Sequence, residues 1–132
     1  MKLVLVDDSK AVQRSFGGLL ESVPEVELVG VAEDVAGAKA LIDATEPDFV
    51  VLDLELGGGD NGIDVLKHVV RHRPQMQVIV LSNFDGQKLR DDLLAAGALA
   101  YFDKSSEFLL ARDWIASRAA AATATKGDRR RP

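Results

Sequence analysis

The sequence predicts an α/β domain on a parallel sheet, and two observations carry that reading. Short runs that are apolar on both faces alternate with longer segments of helical period, five of each. The residues that close the apolar runs, among them Asp7-Asp8, Asp53, Ser82 and Asp103-Lys104, are polar.

The first strand is Leu3-Val4-Leu5-Val6. With Lys2 ahead of it, this stretch has the look of a signal peptide, but the run stops after four residues at Asp7-Asp8. That is far too short for a signal core or a membrane span. Ser9 then caps a helix whose stripe is Val12, Phe16, Leu19, Leu20 and Val23, stopped by Pro24. Glu27 to Ala32 is a weaker strand, as expected nearer a sheet edge. Val35, Ala38, Leu41 and Ile42 mark the second helix, ended before Pro47, and Phe49-Val50-Val51-Leu52 is the third strand. A helix through Ile63, Leu66, Val69 and Val70 ends before Pro74, and Val78-Ile79-Val80-Leu81 follows as a strand. Asp85 to Ala96, with Leu89 and Leu93, is the fourth helix, and Gly97 takes its C-terminal glycine position. Ala98 to Phe102 is the last strand. The fifth helix runs from Ser106 to Ala122, with Phe108, Ala111, Ile115 and Ala119 on one face. Residues 1–122 therefore read as one domain and 123–132 as a flexible basic tail.

At 132 residues the chain has room for one core, and 47% hydrophobic with 28% charged residues is ordinary for a globular protein. The absence of cysteine excludes disulfides, thiolate metal sites and thiol nucleophiles, and it fits a cytoplasmic location. The net charge of −5 divides into about +3 on the tail and −8 on the rest. An acidic body argues against direct DNA binding.

In an open parallel sheet, ligands bind beyond the carboxyl ends of the strands. Three carboxylates (Asp7, Asp8, Asp53), the Ser82 hydroxyl and the Lys104 ammonium converge there. Clustered carboxylates repel unless a cation or a proton intervenes, and an all-oxygen set suits a hard divalent ion such as Mg²⁺, or Mn²⁺ in its place. A carboxylate can also attack a phosphoryl donor to form an acyl phosphate, with Lys104 and Ser82 positioned to meet the spread negative charge.

On these residues the sequence resembles the receiver domains of two-component response regulators, over about residues 1–120. The motifs are Asp7-Asp8 after the first strand, Asp53 in VVLDLEL, Ser82 in VIVLSN and Lys104 in YFDKSSEF. The resemblance implies a flavodoxin-like (βα)5 sandwich with a five-stranded sheet of order 2-1-3-4-5. It implies Mg²⁺-dependent transfer of a phosphoryl group to Asp53 from a histidine kinase or histidine phosphotransfer protein. Asp8, Asp53 and the backbone carbonyl of Glu55 would bind the metal directly, and Asp7 through water. Ser82 and Tyr101 would form the switch that changes a surface read by a downstream protein. The only catalysis expected is self-directed: transfer to Asp53 and hydrolysis of the product.

The chain departs from the family pattern at four places. Asn83 stands where a small residue is frequent. The loop Leu56 to Gly62 lacks Met-Pro, is one residue longer than the family pattern, and its three successive glycines predict a permissive, mobile loop. Ser105 replaces the frequent proline after the lysine. Glu55 and Phe84 occupy the positions bordering the hydrolytic water, where Phe84 is expected to shield the acyl phosphate. Leu110 and Trp114, one turn apart on the fifth helix, suggest a surface for a partner or a homodimer, against the alternative, slightly favoured, that Trp114 folds down over the sheet edge.

Two rival readings remain. One is a receiver-like binding module that is never phosphorylated. The other is a flavin binder or small phosphohydrolase, disfavoured because Asp7-Asp8 would repel a phosphate. His68 and His72 on the third helix are not placed as general acid or base and are expected to face solvent.

Overall fold

The computed structural model describes residues 1–83 and 86–129, with side chains described as far as residue 122. The chain forms β1 (Lys2–Val6), α1 (Lys10–Glu21), β2 (Glu27–Ala32), α2 (Val35–Thr45), β3 (Phe49–Leu52), α3 (Ile63–His72), β4 (Gln77–Ser82), α4 (Gln87–Ala95), β5 (Ala100–Asp103) and α5 (Phe108–Arg129). The strands pair in parallel in the order β2-β1-β3-β4-β5, the flavodoxin-like arrangement expected.

Alternation along each strand splits the apolar residues between two layers. Leu3, Leu5, Phe49, Val51, Ile79, Leu81 and Phe102 point to α1 and α5, where Phe16, Leu20, Ala111 and Ile115 meet them. Val4, Val6, Val50, Leu52, Val78, Val80 and Tyr101 point the other way, to Ile42 of α2, Leu66 and Val69 of α3 and Leu93 of α4. This double burial is why the central strands show no polar face. The edge strand β2 is less buried, and its pairing with β1 carries a bulge between Leu3 and Val4.

Local signals start and stop the helices. Ser9 Oγ accepts from the Val12 N–H at 3.3 Å, and Asp34 Oδ1 accepts from the Gly37 N–H at 2.7 Å. Glu46 closes α2 in the left-handed region (φ 47°), just ahead of Pro47. Gly97, at φ 119°, follows α4 as expected.

Several boundaries differ from expectation, among them β5, which runs Ala100–Asp103 where Ala98 to Phe102 was expected. α4 begins at Gln87 after Gly86 at φ 133°, while Asp85 lies outside the described residues. α5 begins at Phe108 because Asp103 Oδ1 takes the N–H and hydroxyl of Ser105 at 2.7 and 2.6 Å, drawing the serines into a turn. The same helix continues past Ala122 to Arg129, through an alanine-rich stretch of high helix propensity.

The glycine loop after β3 is built rather than open. Gly57–Gly59 form a 3₁₀ turn with Gly58 and Gly59 at positive φ, Glu55 bridges to Asn61, and the Gly57 N–H donates to the Glu33 carbonyl at 2.9 Å. The loop ends at Gly62, whose N–H donates to the Leu54 carbonyl at 2.8 Å. A Cβ at Gly62 would lie 2.0 Å from the carbonyl oxygen of Asp53, so the turn passes where only glycine fits.

Candidate acidic phosphoryl site

The parallel register brings the polar strand ends together. Val6 pairs with Leu52, Leu52 with Val80 and Ser82 with Asp103, so Asp7, Asp53, Ser82 and Lys104 emerge along one edge. Backbone bonds carry the pairing one step further: Asp53 N–H to the Val6 carbonyl and Lys104 N–H to the Ser82 carbonyl, both 2.9 Å.

Asp7, Asp53 and Ser82 are the buried polar residues among those described, at 1%, 5% and 1% exposure. Lys104 Nζ donates to Asp53 Oδ2 at 2.8 Å and lies 2.8 Å from Asp7 Oδ2. The second approach is off the hydrogen-bonding direction. Asp7 Oδ2 therefore has a charge contact but no hydrogen bond, while its Oδ1 accepts from the Ser9 N–H at 2.8 Å. One ammonium thus faces two buried carboxylates, with exposed Asp8 beside them.

Burial pushes the Asp53 carboxyl above its ordinary value; the Lys104 hydrogen bond and charge offset this only in part, and the negative charge of Asp7 adds to the rise. For Lys104, burial pulls the ammonium down, but its hydrogen bond to Asp53 and its close charge contacts with Asp53 and Asp7 hold it above the usual lysine value.

The residues fit a hard divalent cation. One oxygen from each of Asp7, Asp8 and Asp53 lies within 4.8 Å of the others, and the buried Asp7 Oδ2 lacks a hydrogen bond that a cation would replace. Asp7 is also close enough to the lysine to be part of the charge cluster. Beside the cluster is a cleft of about 420 Å³ lined by Asp8, Asp53, Glu55, Ser82, Asn83 and Lys104. A larger cavity, about 660 Å³, lies at the opposite edge of the sheet near Met1, Asp48 and Arg73. Size does not mark the site here: the smaller cleft gathers the chemistry.

The other predicted residues fall as follows. Tyr101 is 7% exposed within the core, with the Arg90 guanidinium 4.8 Å from its ring centroid. The Glu55 N–H approaches Asp53 Oδ1 at 3.4 Å. Phe84 lies outside the described residues. The structure parts Leu110 from Trp114: Leu110 is 54% exposed, but Trp114 packs on the core, edge-on to Phe49 at 5.8 Å and Phe102 at 6.1 Å. Nor does His68 face solvent. Its side chain is 15% exposed and its Nε2 lies 3.2 Å from Asp43 Oδ1, whereas His72 is exposed.

Sequence reasoning missed Gln13, which ties the site to its wall. Its Nε2 donates to the Asp7 carbonyl at 2.9 Å and to Glu33 Oε2 at 2.7 Å. Nothing in its spacing distinguishes it from a surface glutamine.

Known proteins resemble this chain in sequence and fold. The chain is 36% identical over 104 residues to the DNA-binding transcriptional activator DevR/DosR of Mycobacterium tuberculosis, covering 79% of this chain and 48% of that protein. The chain thus spans about half the length of this relative. Among solved structures, a LuxR-family two-component response regulator from Aurantimonas superposes with a TM-score of 0.82 at 29% identity, covering 91% of this chain and 85% of that one. The response regulator domain of Thermotoga maritima CheB gives 0.78 at 25% identity, covering 92% and 95%. A family match runs from residue 3 to residue 112, from β1 into α5, and so includes every strand end that builds the acidic cleft. The chain belongs to the response regulator receiver domain family.

Proposed function

We propose that the chain is a phosphoacceptor: Asp53 takes a phosphoryl group from a histidine kinase or histidine phosphotransfer protein, and the new charge changes a surface read by another protein. The observation that carries this is the paired approach of Lys104 Nζ, 2.8 Å from both Asp53 and Asp7, at the floor of an open cleft.

Asp53 supplies the nucleophile. Its carboxylate oxygen forms the new bond to phosphorus as the donor's phosphorus–nitrogen bond breaks, leaving an acyl phosphate and the donor's imidazole. Lys104 neutralises charge on the transferring group and, by its contact with Asp7, keeps the buried acids from repelling the donor. Ser82 at the end of β4 offers a hydroxyl to a phosphoryl oxygen, and Tyr101 on β5 lies behind it in the core. Asp7, Asp8, Asp53 and the Glu55 carbonyl would hold a Mg²⁺ ion, which supplies charge neutralisation to the phosphoryl oxygens when bound. Asn83 lines the cleft and narrows the approach of water and donor alike.

Incubation with acetyl phosphate or phosphoramidate and Mg²⁺, followed by intact mass, tests the reading. One phosphoryl adduct is expected, absent in Asp53→Asn and on chelation of Mg²⁺. No adduct, together with no structural response to beryllofluoride, would instead favour a receiver-like binding module that is never phosphorylated. Among the described residues no helix is long and apolar enough to cross a membrane.

A further inference from the structure

The turn that carries Lys104 is held by a residue that phosphoryl chemistry leaves unused. Glu107, just ahead of α5, accepts from the Asp103 N–H through Oε1 at 2.7 Å, while its own N–H donates to the Asp103 carbonyl at 2.8 Å. Both backbone polar groups of the residue preceding Lys104 therefore end on Glu107. The same Oε1 lies 3.4 Å from Arg90 Nη2 on α4. The guanidinium of Arg90 is in turn 4.8 Å from the centroid of the Tyr101 ring. One continuous set of contacts runs from Tyr101 through Arg90 and Glu107 to the turn bearing Lys104.

A carboxylate ahead of a helix has an ordinary explanation in the helix dipole. That accounts neither for the reciprocal pairing with Asp103 nor for the contact with Arg90. Lysine is a point charge on a flexible four-carbon stem, so where its ammonium sits depends on where its backbone is held. Lys104 Nζ must reach Asp53 and Asp7 together, at 2.8 Å each, which leaves little tolerance for a displaced turn.

We propose that Glu107 is a positioning residue for phosphoryl transfer: it fixes the turn so that Lys104 reaches both acids, and through Arg90 it ties that turn to the inward placement of Tyr101. This rests on the phosphoacceptor reading of Asp53. A shift of Lys104 on arrival of charge at Asp53 then reaches Tyr101 by direct contact, through a clasp specific to Arg90 and Glu107.

The test uses the wild type, Glu107→Ala, Glu107→Gln and Arg90→Ala. Phosphoramidate and Mg²⁺ give the rate of adduct formation by intact mass. The chain has one tyrosine, so 3-fluorotyrosine labelling gives a single ¹⁹F resonance that reports Tyr101. Glu107→Ala is expected to lower the rate about tenfold, as a misplaced catalytic group does. Glu107→Gln still accepts from the Asp103 N–H and should keep the rate within about twofold of wild type. It lacks the charge that holds Arg90, so its fluorine resonance should move as it does in Arg90→Ala. A wild-type rate in folded Glu107→Ala, or a Gln variant as slow as the Ala variant, would overturn the positioning role. An unmoved resonance in Arg90→Ala would overturn the link to Tyr101. Should Glu107→Ala not fold, the rate of Glu107→Gln and the two resonances decide. A wild type that takes no phosphoryl group defeats the phosphoacceptor reading and the rate half of this proposal with it, while the resonances still decide whether the clasp exists.

Discussion

At the carboxyl end of the sheet Asp7 and Asp53 are buried and share one ammonium, whereas at the amino end Asp48 is exposed and its Oδ2 accepts the Lys2 N–H at 2.8 Å. The charged groups of the amino end are paired in the same manner, while the buried Gln77 Oε1 there has no hydrogen-bond partner among the described residues. The terminal ammonium donates to the Glu25 carbonyl at 2.7 Å, and Arg73 pairs with Glu46 at 2.8 Å in partial solvent. Each charge there has a near partner or water. At the carboxyl end two carboxylates are taken out of water against one cation, and a buried oxygen is left without a hydrogen bond. Burial of charge in this way costs stability, and among the described residues the buried carboxylates lie at this end only. The contrast marks the candidate site better than cavity volume does, since the larger cavity lies at the amino end, where no carboxylate is buried among the described residues.

The sharpest way to break the contrast is Lys104→Ala. It leaves Asp7 and Asp53 facing each other without a cation, and a loss of about 3 kcal/mol at neutral pH is expected in urea denaturation. The rate of phosphorylation should fall about 100-fold, measured by intact mass over time. A variant as stable as the wild type would mean the two acids are not coupled through the lysine.

Asp53→Asn should move stability the other way. Because burial raises the Asp53 carboxyl above its ordinary value, the folded state favours the protonated form. That contribution is whole below the unfolded carboxylate value and is lost as pH rises through the raised folded value, so the charged acid is a burden at pH 7. The amide is expected to gain about 1 kcal/mol there, with the gap to wild type closing as the pH falls toward about 4. Lys104 has the opposite limit: its contribution is present below its unfolded value and fades only as alkaline pH passes its raised folded value. Equal stability of the two proteins across this range would show that Asp53 carries no strain.

The smallest effect belongs to the amino end. Asp48→Ala removes one exposed hydrogen bond and should cost about 0.5–1 kcal/mol. Phosphorylation should proceed at the wild-type rate; a slowed reaction would show that the two ends of the sheet are energetically connected.

What could be read beforehand follows from how local each signal is. The strands were legible because burial on both faces leaves uninterrupted apolar runs, and the acids and Lys104 because strand ends in a parallel sheet share an edge. Trp114 left two readings open because helical spacing reports direction around α5, not the breadth of the sheet beneath it, and the structure takes the buried one. An indole that spans the helix-sheet gap reaches Phe49 and Phe102 from a position that looks peripheral. His68 was misplaced for a similar reason: Asp43 on α2 meets it, and a partner 25 residues away leaves no periodic trace. Glu107 and Gln13 act on backbone groups, which no side-chain pattern announces.

Gly62 gives the molecule a point of genetic fragility. It offers no side chain to metal or donor, yet any side chain there would meet the main chain of Asp53, 2.0 Å from its carbonyl oxygen. A collection of signalling-dead alleles would therefore include substitutions at this loop position alongside those at the acids. A survey of active-site residues alone would pass over them, although the lesion they cause is a displaced acceptor.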